Sequence, residues 1–284
     1  LEEKKVRADE LFENEQYVDA TPLYLQILSL EPLILDWNFK YGACLLYNSG
    51  QKEKAIRYLK AGVDDPNCDP RAYYFRGRAL HLDYQFEAAK KDYNTYLTKR
   101  SKKDSRYPVE REIQMCENGK HLLSTFTDIV VMDKQQIGED KFYDIYHDSK
   151  TIGGQIIRNY DFQSKIDKKK GHVPTVHFPP NAKRIFYASY GDDEDTGKDI
   201  YMRVKLPNGK WEEPQKVRGG VNTDQDEEYP FLHASGDYLY FSSKGHNSMG
   251  GFDVFMSKLD PNTNTFGTAE NVDFAISSPN DDLF

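Results

Sequence analysis

The sequence predicts an α plus all-β multidomain protein: an N-terminal α-solenoid of helical repeats over residues 1–123, followed over 124–284 by part of a β-propeller. Three observations lead there. Apolar residues up to about Leu123 recur with the period of an amphipathic helix, as in Ala8, Leu11, Phe12 and then Leu23, Tyr24, Ile27, Leu28. Small residues return 34 or 35 positions apart, at Ala8, Gly42 and Gly77 and again at Ala20, Ala55 and Ala89. Finally, the pattern Ile185–Ser189, Gly191, Lys198–Met202 is repeated as Leu239–Ser243, Gly245, Phe252–Met256.

The helical elements fall into three pairs, at roughly Leu1–Leu33, Ile34–Asn67 and Asp69–Lys102. A large residue follows four positions after each second-set alanine, at Tyr24, Leu59 and Tyr93, which places it on the same helix face one turn on. Pro32 and Pro66 close the first two units, because proline lacks the amide that would continue a helix. Ser101 stands where the third unit would have its proline. A further helix at Val109–Leu123, announced by Pro108, is expected to cover the end of the stack.

From Thr125 onward short strands, glycines and Asn/Asp turns take over. Asp128–Asp133 and Phe142–His147 read as strand pieces, and Lys165–Gly171 as a basic connector ending in glycine. Two regular units follow, Val173–Val221 and Tyr229–Ile276. Between them Pro174 corresponds to Pro230, His177 to His233, Asp199 to Asp253 and Trp211 to Phe266. The run Val221–Tyr229 is echoed by Ile276–Phe284, like the opening of another blade. A closed propeller needs at least four blades, so the expectation is a natural chain that continues beyond 284.

Composition narrows the function classes. Of 284 residues, 38% are apolar and 30% charged, and the net charge is −8 without an evident basic face, which disfavours nucleic acid as a partner. No apolar run approaches the ~18 residues of a spanning helix. Cys44, Cys68 and Cys116 are an odd number without Cys-x-x-Cys spacing, so they suggest neither a disulfide framework nor a zinc site. The first residue is not Met, and an export signal is either removed or not present in this stretch.

The small, small, large and proline positions of the helical half resemble the tetratricopeptide repeat family, whose unit has 34 residues. That resemblance implies a concave groove lined by the first helix of each pair, able to hold a peptide or helix of a partner. By the repeat's phase the groove residues are Phe39, Ala43, Leu46 and Tyr47 in the second unit and Tyr74, Arg78, His81 and Leu82 in the third. The candidate partner-binding set is therefore Phe39, Tyr47, Tyr74, Arg78 and His81; the alternative is that these side chains pack against the next repeat. Lys5, Asp9, Phe39, Ala43 and Tyr74 do not match the cations and amides with which some members clamp a C-terminal carboxylate.

The run Glu228–Gly245 with Met249–Phe255 is very similar to the TolB-like blade of Bacteroidota cell-envelope proteins, in which helical repeats precede a propeller and an OmpA-type domain. The resemblance implies a periplasmic, outer-membrane-associated protein, lipoprotein-anchored in some layouts, of type IX secretion or gliding assemblies. Its implied partners are envelope proteins such as an outer-membrane β-barrel. Peptidoglycan contact would come only through a domain absent from these residues.

No residues assemble a catalytic constellation, and no cofactor or metal is expected. Asp199 and Asp253, in the same place of both units, suit turn-stabilising hydrogen bonds to backbone amides. Gly250 and Gly251 beside them suggest a bulge or positive φ. The acidic strings Asp192–Asp195 and Asp224–Glu228 lack EF-hand spacing and read as solvated loop charge. His177 and His233 read as architecture, and Ser189, Ser242 and Ser243 lie in strands without a nucleophile elbow. The expected function is a non-enzymatic scaffold; the alternative is a propeller hydrolase or lyase using the acidic loops and a divalent ion.

Overall fold

A computed structural model describes residues 1–48, 51–65, 67–125, 128–131, 135–138, 154–179, 181–192 and 197–283. The chain divides into two compact units, Leu1–His121 and Leu122–Phe284.

The first unit is built of helices α1 (Glu2–Glu13), α2 (Tyr17–Leu30), α3 (Leu35–Leu45), α4 (Lys52–Gly62), α5 (Arg71–Leu82), α6 (Phe86–Lys99) and α7 (Val109–Leu123). The short connections make α1–α2, α3–α4 and α5–α6 antiparallel helix pairs in series, followed by α7. The spacing of small and large residues explains the pairing. A Cβ on Gly42 would stand 2.7 Å from the Leu59 side chain and 2.9 Å from the Leu59 backbone nitrogen, and one on Gly77 would stand 2.8 Å from the Tyr93 ring. Each glycine thus lets the second helix of its pair approach closely enough to seat the large residue. Ala8, Ala20, Ala55 and Ala89 are fully buried at the corresponding contacts. Phe12 joins the repeats: its ring packs edge-on against Tyr17, Tyr24 and Phe39 at 5.4–6.1 Å. Pro66 lies outside the described residues.

The second unit is an all-β region that carries a curled, half-barrel sheet, with one short helix. Its elements are β1 (Gln155–Arg158), a 3-10 turn (Tyr160–Phe162), α8 (Lys165–Lys170), β2 (Thr175–Phe178), β3 (Arg184–Ser189), β4 (Asp199–Val204), β5 (Gln215–Lys216), β6 (Glu227–Leu232), β7 (Tyr238–Ser243), β8 (Asp253–Asp260), β9 (Thr265–Phe266) and β10 (Glu270–Asn271). The strands form an antiparallel β1–β2 pair, a three-stranded β3–β4–β5 sheet and a sheet of order β10–β8–β7–β6, with β9 on β8. The repeated sequence is a repeated hairpin, whereas β2 pairs with β1 and its counterpart β6 pairs with β7. In β3–β4, Phe186 faces Met202, Tyr187 faces Tyr201 and Ser189 faces Asp199; in β7–β8, Tyr240 faces Met256, Phe241 faces Phe255 and Ser243 faces Asp253. The Lys205–Trp211 bridge of the first copy likewise matches the Leu259–Phe266 pair of the second. Side chains alternate between sheet faces, so an equal register gives equal faces.

Two expectations for this unit need correction. Lys165–Lys170 is a helix, α8, capped by Gly171, and not a connector. Ser164 accepts from the Asp167 amide while Asp167 accepts from the Ser164 amide, and Gly171 ends the helix at φ 71°. Asp128–Val131 lies in no strand, and Ile129, Val130 and Val131 are exposed. Phe142–His147 is outside the described residues.

Candidate functional site

The expected groove residues separate into two groups. Phe39, Tyr74 and His81 are buried and present no surface. Phe39 contacts Phe12 of the preceding repeat and, within its own pair, lies against Gly62, where an added Cβ would come within 2.6 Å of it, so it packs both within and between repeats. Tyr74 stacks on Tyr107 at 3.9 Å and 12°. The aromatics Phe39 of α3 and Tyr74 of α5 are therefore packed among the helices. Tyr47 is 44% exposed and stacks on Tyr17 at 4.3 Å, and the Arg78 side chain retains about a third of its surface (35%). Of the five residues, these two can meet a partner.

Arg78 is held from α7. Its Nη1 donates to Glu112 Oε1 at 2.9 Å, while the Tyr93 hydroxyl donates to Glu112 Oε2 at 3.3 Å and His81 Nδ1 lies 3.4 Å from the same oxygen. Burial alone would raise the Glu112 carboxyl, but the hydrogen bond from His81 and the Arg78 charge hold it below its ordinary value. The repeat pattern assigns α7 only a covering role and does not single out Glu112. Its signal was a spacing of 34 residues from Arg78, one repeat length.

In the strand unit the equivalent serines Ser189 and Ser243 each meet a buried carboxylate, although the two carboxylates come from different places in the repeat. Ser189 Oγ donates to Asp167 Oδ2 at 2.5 Å, and Ser243 Oγ donates to Glu227 Oε1 at 2.7 Å. Each serine oxygen also accepts a loop amide, from Gly191 at 3.0 Å or Gly245 at 2.9 Å. Thr223 gives Glu227 two further hydrogen bonds, from its amide and its hydroxyl. Glu227 is fully buried, and burial raises its carboxyl above the ordinary value. The string Asp224–Glu228 is thus not a run of solvated loop charge. Glu227 turns inward at the start of β6, Asp226 accepts from the Lys198 amide at 2.9 Å, and Glu228 pairs with Lys198. Of Asp192–Asp195, only Asp192 is described.

Asp253 Oδ2 accepts from the Met249 amide and from Asn271 Nδ2, each at 2.9 Å, so it fastens the β7–β8 turn to β10. Burial pushes its carboxyl up to about 7, against the opposing pull of the Met249 amide and Asn271. Asp199 is equally buried, and Lys216 Nζ on β5 lies 2.7 Å from its Oδ2. Neither Gly250 nor Gly251 has positive φ. Both are required by close approach: a Cβ on Gly250 would lie 2.5 Å from the backbone of Ser278 and Pro279, and one on Gly251 would lie 2.0 Å from Asp281 Oδ1. The irregularity in this sheet falls in β6, between Glu228 and Phe231. His177 is buried and stacks on Phe231 at 4.8 Å, whereas His233 is exposed and lies 3.0 Å from Ser235 Oγ. Among the described residues no group of three or more His, Cys, Asp or Glu side chains is arranged to hold a metal ion, and no helix is long and apolar enough to cross a membrane.

No protein-family model matches this sequence, and no curated protein matches it. Among solved structures it is similar to the Sgt2 TPR domain from Aspergillus fumigatus, with 21% identity and a TM-score of 0.37, over 49% of this chain and 90% of that one.

Proposed function

We propose that this chain is a non-enzymatic scaffold whose helical repeats and strand repeats each hold a protein partner. One observation supports the reading best. Asp92, Glu112, Asp167, Asp199, Glu227 and Asp253, the buried carboxylates among the described residues, are each engaged with groups from neighbouring segments and so act as fasteners. Tyr47 and Arg78, held in place from behind by Tyr17 and Glu112, are the surface offered by the helical unit. A stacked aromatic beside an anchored guanidinium suits a peptide or helix with apolar and acidic side chains.

The strand repeats are read as blades of a TolB-like propeller, on the resemblance of Glu228–Phe255 and the equal register of both copies. The same resemblance supports a periplasmic, outer-membrane-associated protein of the layout of the type IX secretion component PorE, with an outer-membrane β-barrel among its partners. A photo-crosslinking side chain at Tyr47 in living cells is the test. It should capture a defined envelope protein, while the same probe at buried Phe39 captures none. Absence of any crosslink at Tyr47, together with unchanged export of secreted cargo after deletion of the gene, would overturn the reading.

A further inference from the structure

The first strand repeat has one face already covered. Phe186, Ile200, Val217 and Val221 lie in a single core with Leu239, Phe241, Phe255 and Phe266 of the second repeat. Counting 54 or 55 residues forward from those four first-repeat residues leads to Tyr240, Val254, Val272 and Ile276. These four, with Phe231 and His233, line an open apolar cavity of about 350 Å³ on the second repeat. Val221 is fully buried, whereas its counterpart Ile276 is 43% exposed. The same face is therefore filled in one copy and empty in the other.

A second observation points to the same occupant. Glu227 accepts from the Thr223 amide and hydroxyl and from Ser243, the serine that ends the first strand of the covering hairpin. Asp282 accepts from the Ser278 amide at 2.6 Å and the Ser278 hydroxyl at 3.1 Å, reproducing the threonine half of that arrangement. Just before each carboxylate the equivalence continues, since Asp226 takes the Lys198 amide and Asp281 takes the Phe252 amide, both at 2.9 Å. Among the described residues no strand serine reaches Asp282.

We propose that this face is the seat of a third sheet of the same repeat, joined in series to the second as the second is to the first. Its hairpin carries apolar side chains where the second repeat has Leu239, Phe241 and Phe255, and a serine at the Ser243 position whose hydroxyl donates to Asp282. The occupant follows from continuity with the interface already formed: a sheet that fits Phe186, Ile200, Val217 and Val221 fits their counterparts. This inference extends the propeller reading and is independent of the envelope assignment.

The test compares the chain with a version in which a second copy of residues 229–283 follows residue 283 directly, so that Asp282 stands to the copy as Glu227 stands to the second repeat; the copy keeps isoleucine at its own position 276. Both carry Ile276→Cys as a reporter and Cys68→Ser, because Cys44 and Cys116 are already buried. Thiol labelling of residue 276 should slow at least tenfold in the lengthened chain, and the added copy should resist protease. Replacing the serine at the Ser243 position of the added copy by alanine should restore part of the labelling rate. Equal labelling in both chains, or an added copy that remains protease-sensitive, would overturn the proposal. So would a parent chain that dimerises through this face and becomes monomeric on Ile276→Asp.

Discussion

Asp253→Asn is the sharpest single probe of the strand repeat. Asp253 is fully buried and its carboxyl is pushed up to about 7, whereas an unfolded chain ionises near 3.9. Below about pH 4 both states carry the proton and the group contributes no pH dependence. Between pH 4 and 7 the unfolded state releases the proton that the folded state retains, so stability falls as pH rises. Three units of displacement amount to about 4 kcal/mol, fully expressed above pH 7. Asparagine keeps an oxygen for the Met249 amide and removes the ionisation. Urea melts of both proteins at pH 4, 5.5, 7 and 8 read the difference directly. The variant should start near or slightly below the parent in stability and gain on it by a few kcal/mol towards pH 8. A difference that stays constant with pH would refute the reasoning, because ionisation of Asp253 would then cost the fold nothing.

Three further outcomes are expected. Gly42→Ala should lose about 1–3 kcal/mol despite the better helix propensity of alanine, since the new methyl meets the Leu59 backbone nitrogen at 2.9 Å; a more stable variant in a thermal melt would contradict the packing. Glu112→Gln should cost about 2 kcal/mol at pH 7 by leaving Arg78 and His81 with a neutral partner. Because the Glu112 carboxyl is held below its ordinary value, the parent's advantage is complete above about pH 5 and is lost as pH falls through the folded-state value, so the gap between melts of the two proteins should narrow steadily on acidification below pH 5. A thiol reagent applied to the folded protein should modify Cys68 alone, since Cys44 and Cys116 are buried and their thiols are pushed up to about 12; prompt reaction of more than one thiol would contradict that burial.

Much of the helical half was legible because its signals are local and repeated. Ala8, Gly42 and Gly77 and the large residues Tyr24, Leu59 and Tyr93 stand at fixed spacing, and spacing alone says which helices touch. The groove was less legible. Phase places Phe39, Tyr74 and His81 on the first helix of a pair, yet the same phase serves a side chain packed among the helices, and burial put all three there. In the strand half the duplicated pattern predicted a duplicated register. The misreadings have identifiable physical causes. Gly250 is glycine because the Ser278–Pro279 backbone passes over it and Gly251 because the Asp281 carboxylate lies against it, contacts from some 30 residues later that no neighbouring residue announces. Glu227 sits in a charged run, but the alternation of an incipient strand turns it inward while Asp224 remains exposed. Helix α8 has a legible start at Ser164 and Asp167 and a legible stop at Gly171, but with three consecutive lysines and Ile166 as its one apolar residue it carries no helical period.

The account rests on the two strand segments being copies in structure as well as in sequence. Cross-strand nuclear Overhauser effects measured on the intact protein test this most directly. They should connect Phe186 with Met202 and Ser189 with Asp199, and equally Tyr240 with Met256 and Ser243 with Asp253. A one-residue slip of either hairpin would place its aromatic side chains on the opposite face; a set of effects showing different registers in the two copies would contradict the repeat, the shared core and the vacant face together.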